Sequence, residues 1–250
     1  MKNHTITLPL DLTKRHFVIG DIHGRLDMLE DLLASADYDP KLDVLYSVGD
    51  LIDRGPYSVE VVEFFQQDNC HAIRGNHELM VVDAMQWHGV WMGNGGVQTM
   101  NSLRDNDHDL VWLQEQFRPL PYVIDVGDAD EEFSFRLVHA DLPLVWSEED
   151  FQYILENAED EDDTRLAHIL WSRTTIESAL RNIKNLKPKF TGMTINPDRS
   201  GRNVFAGHTP IERPLTVGDI TFIDTWRART LTMVEAITNQ EWSVKVRPQS

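Results

Sequence analysis

A single cysteine, Cys70, stands in 250 residues, which excludes an internal disulfide framework and fits a reducing compartment. No apolar run approaches the roughly 18 residues needed to cross a bilayer. Met1 to Thr13 is polar and lacks the basic-then-apolar layout of a secretory leader. A cytoplasmic protein without membrane contact is the expectation. Basic charge is also scarce: 23 Lys and Arg face 41 Asp and Glu, for a net charge of −18. That balance disfavours nonspecific binding to nucleic acid and to anionic membranes. It repels an anionic substrate at long range too, but screening confines the effect to about 8–10 Å, so arginines and cations in a cleft can dominate. Internal repeats and low-complexity tracts are absent, and no linker divides the chain. One domain over residues 1–250 is expected, with a helical and loop insertion at about 141–203.

What the chain does contain is three polar stretches, each placed after an apolar run. Gly20-Asp21-Ile22-His23-Gly24 follows Phe17-Val18-Ile19, and Gly49-Asp50-Leu51-Ile52-Asp53-Arg54-Gly55 follows Val44 to Val48. Gly75-Asn76-His77-Glu78 follows His71-Ala72-Ile73. Two more strand-like runs end in Leu137-Val138-His139 and Ala206-Gly207-His208. Between the first runs, Leu26, Leu29, Leu32 and Leu33, then Val59, Val62, Phe64 and Phe65, recur at helical spacing, with a third helix expected over Leu79 to Trp87. This β-α-β-α-β order predicts parallel strands under helices, and ligand crevices form at the ends of such strands. Further helices are expected around Val97 to Leu103 and Leu110 to Phe117, then near Thr164 to Trp171 and Ile176 to Ile183. The second half is otherwise strand-rich, so two packed sheets flanked by helices are predicted. A Gly/Pro/Asn-rich loop over Lys187 to Asn203 closes the insertion. The acids at Ser147 to Asp150 and Glu156 to Asp163 read as a solvated helix end or loop.

The donors at these strand ends suit a pair of divalent cations. Asp21 and His23, two apart, face one side of an extended segment. Asp50 is the natural bridge between ions about 3.5–4 Å apart, with Asn76, His139 and His208 completing the ligand set of the second ion. Carboxylate, imidazole and amide oxygen together suit manganese, iron or zinc better than calcium. Arg54 and Arg74 add paired donors that match phosphate oxygens. Asp53 could orient His77 and raise its affinity for a proton, so that His77 protonates a leaving alkoxide. A water ionised between the cations would attack phosphorus in line.

At these residues the chain resembles the phosphoprotein phosphatase family of calcineurin-like metallophosphoesterases, close to the bacterial and phage branch that includes bacteriophage lambda phosphatase. The family signature, GDxHG, GDxxDRG and GNHE, is met in order and at spacing by Gly20–Gly24, Gly49–Gly55 and Gly75–Glu78. The likeness continues through Val138-His139-Ala140-Asp141 and Gly207-His208-Thr209-Pro210. It implies an α/β/β/α sandwich of two mixed sheets, two divalent ions with manganese first, and phosphorylated proteins or peptides as substrates. By the resemblance Asp21, His23 and Asp50 hold one ion, and Asp50, Asn76, His139 and His208 the other. His77 with Asp53 forms the proton-donor pair, and Arg54 and Arg74 hold phosphoryl oxygens. Leu170-Trp171-Ser172-Arg173 implies a further phosphate contact from Arg173. Relatives usually continue with glycine after Ile223-Asp224-Thr225, whereas this chain has Trp226, which could narrow or floor the substrate groove. A serine/threonine phosphatase, with phosphotyrosine as a further substrate, is the reading that follows. The alternatives are a symmetrical bis(5'-nucleosyl)-tetraphosphatase, whose relatives usually read GNHD and lack the acid at Asp53, and an inactive binding or scaffold protein.

Overall fold

A computed structural model gives the fold and describes residues 4–142, 147–158, 164–185 and 202–246. The predicted order appears in the first half: β2 (Arg15–Ile19), α1 (Leu26–Ser35), β3 (Asp43–Ser47), α2 (Ser58–Phe64) and β4 (Cys70–Ala72). These three strands are parallel, with Ile19 opposite Ser47 and Ser47 opposite Ala72. Two antiparallel strands, β10 (Thr230–Glu235) and β11 (Glu241–Lys245), complete a five-stranded sheet ordered β11-β10-β2-β3-β4. The second sheet has six strands in the order β1-β5-β6-β7-β9-β8. They are β1 (Thr5–Leu8), β5 (Val123–Val126), β6 (Phe135–Leu137), β7 (Asn203–Ala206), β8 (Leu215–Val217) and β9 (Ile220–Phe222). Within it β6, β7 and β9 run parallel to one another.

Alternation along the strands builds four layers. On β2, Phe17 and Ile19 join the leucines of α1 in one core, while Val18 joins Val44, Tyr46, Phe135 and Phe205 between the sheets. On the far face, Val204, Ala206, Ile220 and Phe222 meet Phe151, Leu155, Leu166 and Ile169. Those last residues belong to α7 (Glu148–Asn157) and α8 (Thr164–Trp171), which α9 (Thr174–Asn185) follows. The result is an α/β/β/α sandwich with mixed sheets.

Several expectations change in detail. The helix expected over Leu79 to Trp87 is two helices, α3 (Asn76–Val82) and α4 (Ala84–Trp91), which break at Asp83. A widened turn at Met92–Gly96, with Gly95 at φ +113°, then leads into α5 (Val97–Asp105), followed by α6 (Leu110–Phe117). The acids at Ser147 to Asp150 start α7 through a reciprocal cap: Ser147 Oγ accepts from the Asp150 amide, and the Asp150 carboxylate accepts from Ser147. Most of the Lys187 to Asn203 loop and the acids from Glu159 to Asp163 lie outside the described residues. Among the described residues, no helix is long and apolar enough to cross a membrane.

Candidate metal centre

Every candidate donor follows the C-terminal end of a parallel strand: β2, β3 and β4 in one sheet, β6 and β7 in the other. The turns that aim them are backbone-strained. Among the described residues nine non-glycines have positive φ, and five of them are here: His23 (+50°), Asp50 (+54°), Asp53 (+72°), Arg54 (+66°) and His208 (+64°). Such residues cost about 1–3 kcal/mol each and persist only where neighbours over-determine them. The neighbours here are specific. Asp50 O accepts from the amides of Ile22 and His23 at 3.1 and 2.9 Å, and Leu51 O accepts from Gly24 at 2.7 Å. Gly207 is glycine because a Cβ would run into the Asp21 carboxylate. The Glu78 carboxylate, fully buried, accepts from the amides of Asp50 (2.9 Å), Leu51 (2.8 Å) and Gly75 (2.8 Å), and so pins the second motif to the third. Burial and the nearby Asp50 push its pKa up to about 7. Glu78→Ala strands three buried amides, and the expected result is an unfolding free energy lower by about 3 kcal/mol. Urea denaturation of the metal-free protein measures it, and a loss below about 1 kcal/mol would show that the amides find other acceptors.

Held this way, the donors converge as lone pairs. His139 Nδ1 donates to Val48 O at 2.7 Å, so its Nε2 is bare, yet that Nε2 faces Asn76 Oδ1 at 2.8 Å and Asp50 Oδ1 at 3.4 Å. His208 Nδ1 lies 2.9 Å from the same Asn76 oxygen. His23 Nδ1 donates to Ile52 O at 2.9 Å, leaving Nε2 aimed at Asp50 Oδ2 (3.7 Å) and Asp21 Oδ2 (4.0 Å). Donors bound about 2.0–2.2 Å from one ion sit about 3–3.6 Å apart, so the arrangement fits cations. Burial, with the charges of His77 and Arg54, drives the His23 pKa well below its ordinary value. Burial lowers His139, and burial with the neighbouring His139 takes His208 down to about 3. All three are therefore neutral at pH 7 and could offer a lone pair to a cation. Negative charge, by contrast, is in excess: burial, Asp224 and Asp50 raise Asp21 well above the carboxylate range, and burial with Asp50 raises Asp224 to about 7. Two groups of ligand atoms lie within 4.8 Å of one another, His23-Asp50-His77 and Asp50-His139-His208, with Asp50 common to both. The pair of groups makes a dinuclear divalent-metal centre.

His77 is held differently. Its Nδ1 bonds Asp53 Oδ2 at 2.5 Å, while Nε2 stands 3.7 Å from Asp50 Oδ2. Burial alone would lower its pKa, but Asp50 and Asp53 outweigh it and the pKa is raised. Asp53 is fixed in turn by the Trp91 indole N–H at 3.0 Å and by Thr99 Oγ1 at 2.5 Å.

A model of the calcineurin-like phosphoesterase family matches residues 15–224, which include every one of these groups. The chain belongs to that family. It is a metal-dependent phosphoesterase. It is 30% identical to serine/threonine-protein phosphatase 1 of Salmonella typhimurium over 84% of this chain and 86% of that protein. With serine/threonine-protein phosphatase 2 of Escherichia coli K12 it shares 33% identity over 52% of this chain and 60% of that protein. It is also 32% identical to a symmetrical bis(5'-nucleosyl)-tetraphosphatase of Klebsiella pneumoniae, over 57% of this chain and 49% of that protein.

The arginines of this phosphoesterase divide. Arg54 reaches the centre, with one terminal nitrogen 2.6 Å from His23 Nε2 and the other 3.3 Å from His77 Nε2. Arg173 stands at its edge, Nε 3.4 Å from His208 Nε2. Arg74 does not join them, contrary to the expectation from sequence. Its guanidinium is buried over the Tyr122 ring, 4.8 Å from the centroid, and donates to the Tyr122 hydroxyl and to the carbonyls of Phe117 and Arg118. Sequence adjacency to Asn76 suggested the metal side, but the side chain leaves the strand end toward α6 and braces the loop behind the centre. Trp91, Thr99 and Glu78 emerge instead as supports. Trp91 belongs to the helix-side core, yet its N–H serves Asp53.

Proposed function

We propose that this phosphoesterase is a serine/threonine protein phosphatase of the bacterial and phage type, working with two divalent ions, manganese foremost. Asp21, His23 and Asp50 hold one ion, and Asp50, Asn76, His139 and His208 the other. When bound, the two ions lower the pKa of a water that serves as nucleophile and offset charge on the phosphoryl oxygens. Arg54 and Arg173 bind and orient those oxygens through paired N–H donors. His77 Nε2, the nitrogen not engaged by Asp53, hands its proton to the ester oxygen as the P–O bond to the leaving group breaks. Asp53 keeps the other nitrogen protonated and the ring in place, while Trp91 and Thr99 keep Asp53 in place.

The Asp53–His77 pair carries the reading. A serine or threonine alkoxide is a poor leaving group and needs a proton during bond cleavage; a nucleotide phosphate leaves as a stable anion and needs none. A chain that invests four side chains in a proton donor is suited to the alkyl ester. The test is turnover by manganese-loaded protein of phosphoserine and phosphothreonine peptides against diadenosine tetraphosphate. At least tenfold higher kcat/KM on the peptides is expected, and faster turnover of the dinucleotide would overturn the assignment.

A further inference from the structure

Two tryptophans bracket the metal centre. Trp171 stands edge-on to His208, ring centroids 6.0 Å apart, and stacks on Trp87 at 5.7 Å. On the opposite side Trp226 lies 6.2 Å from the His23 ring, tilted by 52°. Trp226 opens a short helical turn, Trp226–Ala228, and is anchored at both ends of the residue. Its backbone N–H donates to Asp224 Oδ1 at 3.0 Å, and its indole N–H donates to Asp21 O at 2.8 Å. The side chain's one donor is thus engaged inward. Part of this half-buried ring packs on the helix-side core, and what stays exposed is, with Trp171, the aromatic surface beside the carboxylates, imidazoles and guanidinium of the centre. The neighbouring His23 ring lies 4.9 Å from that of His77, the group that meets the departing ester oxygen. His23 thus adjoins both His77 and the Arg54 guanidinium, so apolar surface beside His23 borders the place where the esterified group departs from the phosphoryl oxygens.

We propose that Trp226 is a specificity-determining wall of the ester site, packing against the group esterified to phosphorus and favouring aromatic leaving groups such as phosphotyrosine. The proposal rests on the phosphatase reading above, with His77 on the leaving-group side. A planar ring gains from offset or edge contact with an indole, whereas a serine stem offers no comparable surface. An aromatic contact of this kind corresponds to about two- to tenfold in rate or affinity. Because the indole is tethered through Asp21 O, the ring meets the substrate already in place, with little ordering left to do on binding.

The experiment compares kcat/KM of manganese-loaded protein on phosphotyrosine and phosphoserine peptides of otherwise identical sequence, in wild type, Trp226→Ala and Trp226→Phe. The expected result is a phosphotyrosine-to-phosphoserine ratio about fivefold lower in Trp226→Ala and restored to within about twofold in Trp226→Phe. Trp226→Phe keeps the ring and loses the indole N–H, so rescue separates packing from the tether to Asp21. Calorimetric titration with phenylphosphonate and methylphosphonate gives a reading without turnover. The phenyl compound binds tighter to wild type, and the gap closes in Trp226→Ala. An unmoved ratio in Trp226→Ala, an equal fall in Trp226→Phe, or no gap between the phosphonates would overturn the wall. Failure of wild type to hydrolyse either peptide would instead overturn the phosphatase reading, and this inference with it.

Discussion

His77→Asn lowers kcat for phosphoserine peptides by about three orders of magnitude and for p-nitrophenyl phosphate by no more than about tenfold. General-acid catalysis contributes about 10²–10⁴-fold where the leaving group is a strong base, and little where it is a weak one. The pH profile sharpens the expectation. Burial opposes protonation of His77, but Asp50 and Asp53 outweigh it, so its pKa is raised and the acid form persists to higher pH than for a free imidazole. Activity on alkyl esters therefore falls as pH rises through that raised value, and this alkaline limb disappears in His77→Asn. Asp53→Asn, which leaves the Trp91 and Thr99 contacts in reach but removes the charge, moves the limb to lower pH. Equal losses on both esters in His77→Asn would show that His77 positions the phosphoryl group or its nucleophile and does not supply a proton.

The parts of this site that the sequence discloses are the ones held by local chain geometry. Asp21, His23, Asp50 and Asn76 each follow an apolar run, and the turns that aim them require glycine at fixed offsets, as Gly49 shows at φ +93°. Those constraints act within a few residues, so they leave a readable pattern. Residues that act across the fold leave none. Trp91 and Thr99 support Asp53 from 38 and 46 residues away, and helical periodicity alone assigns a tryptophan at that position to the core. Arg74 illustrates the converse: two residues from a site residue, it points elsewhere because Tyr122 and two carbonyls at the end of α6 offer its guanidinium better partners. Strand β5 is hard to read from sequence for a related reason. Its Asp125 breaks the apolar run, yet it is buried against Arg136 at 2.6 Å and Arg202 at 2.7 Å, and both partners are distant in sequence.

The second large effect is expected from Asp50→Asn, and it differs in size with and without metal. The Asp50 carboxylate faces His23 and His77 through Oδ2, and His139 through Oδ1, so one side chain serves both halves of the centre. Asparagine keeps an oxygen that can still accept from the His77 amide, a bond of 3.1 Å, but it loses the charge and the second oxygen. Bound manganese should fall from two ions per chain to one or fewer, and kcat by at least about 10³-fold, because proton transfer and phosphoryl orientation cannot replace the nucleophile that the paired ions supply. Each ion lost removes about 4 kcal/mol of stabilisation at a free concentration a thousandfold above Kd. For a chain of this size that corresponds to roughly 10 °C in Tm. In the metal-free protein that contribution is missing. There the Asp50 charge repels Asp21 and Asp224 but attracts His77, so the difference in Tm between variant and wild type is expected to be smaller in chelator than in manganese. Metal analysis and paired melting curves in manganese and in chelator test both halves. Two ions per chain in the variant, or an undiminished rise in Tm with manganese, would remove Asp50 from the bridge and require another residue to join the two halves of the centre.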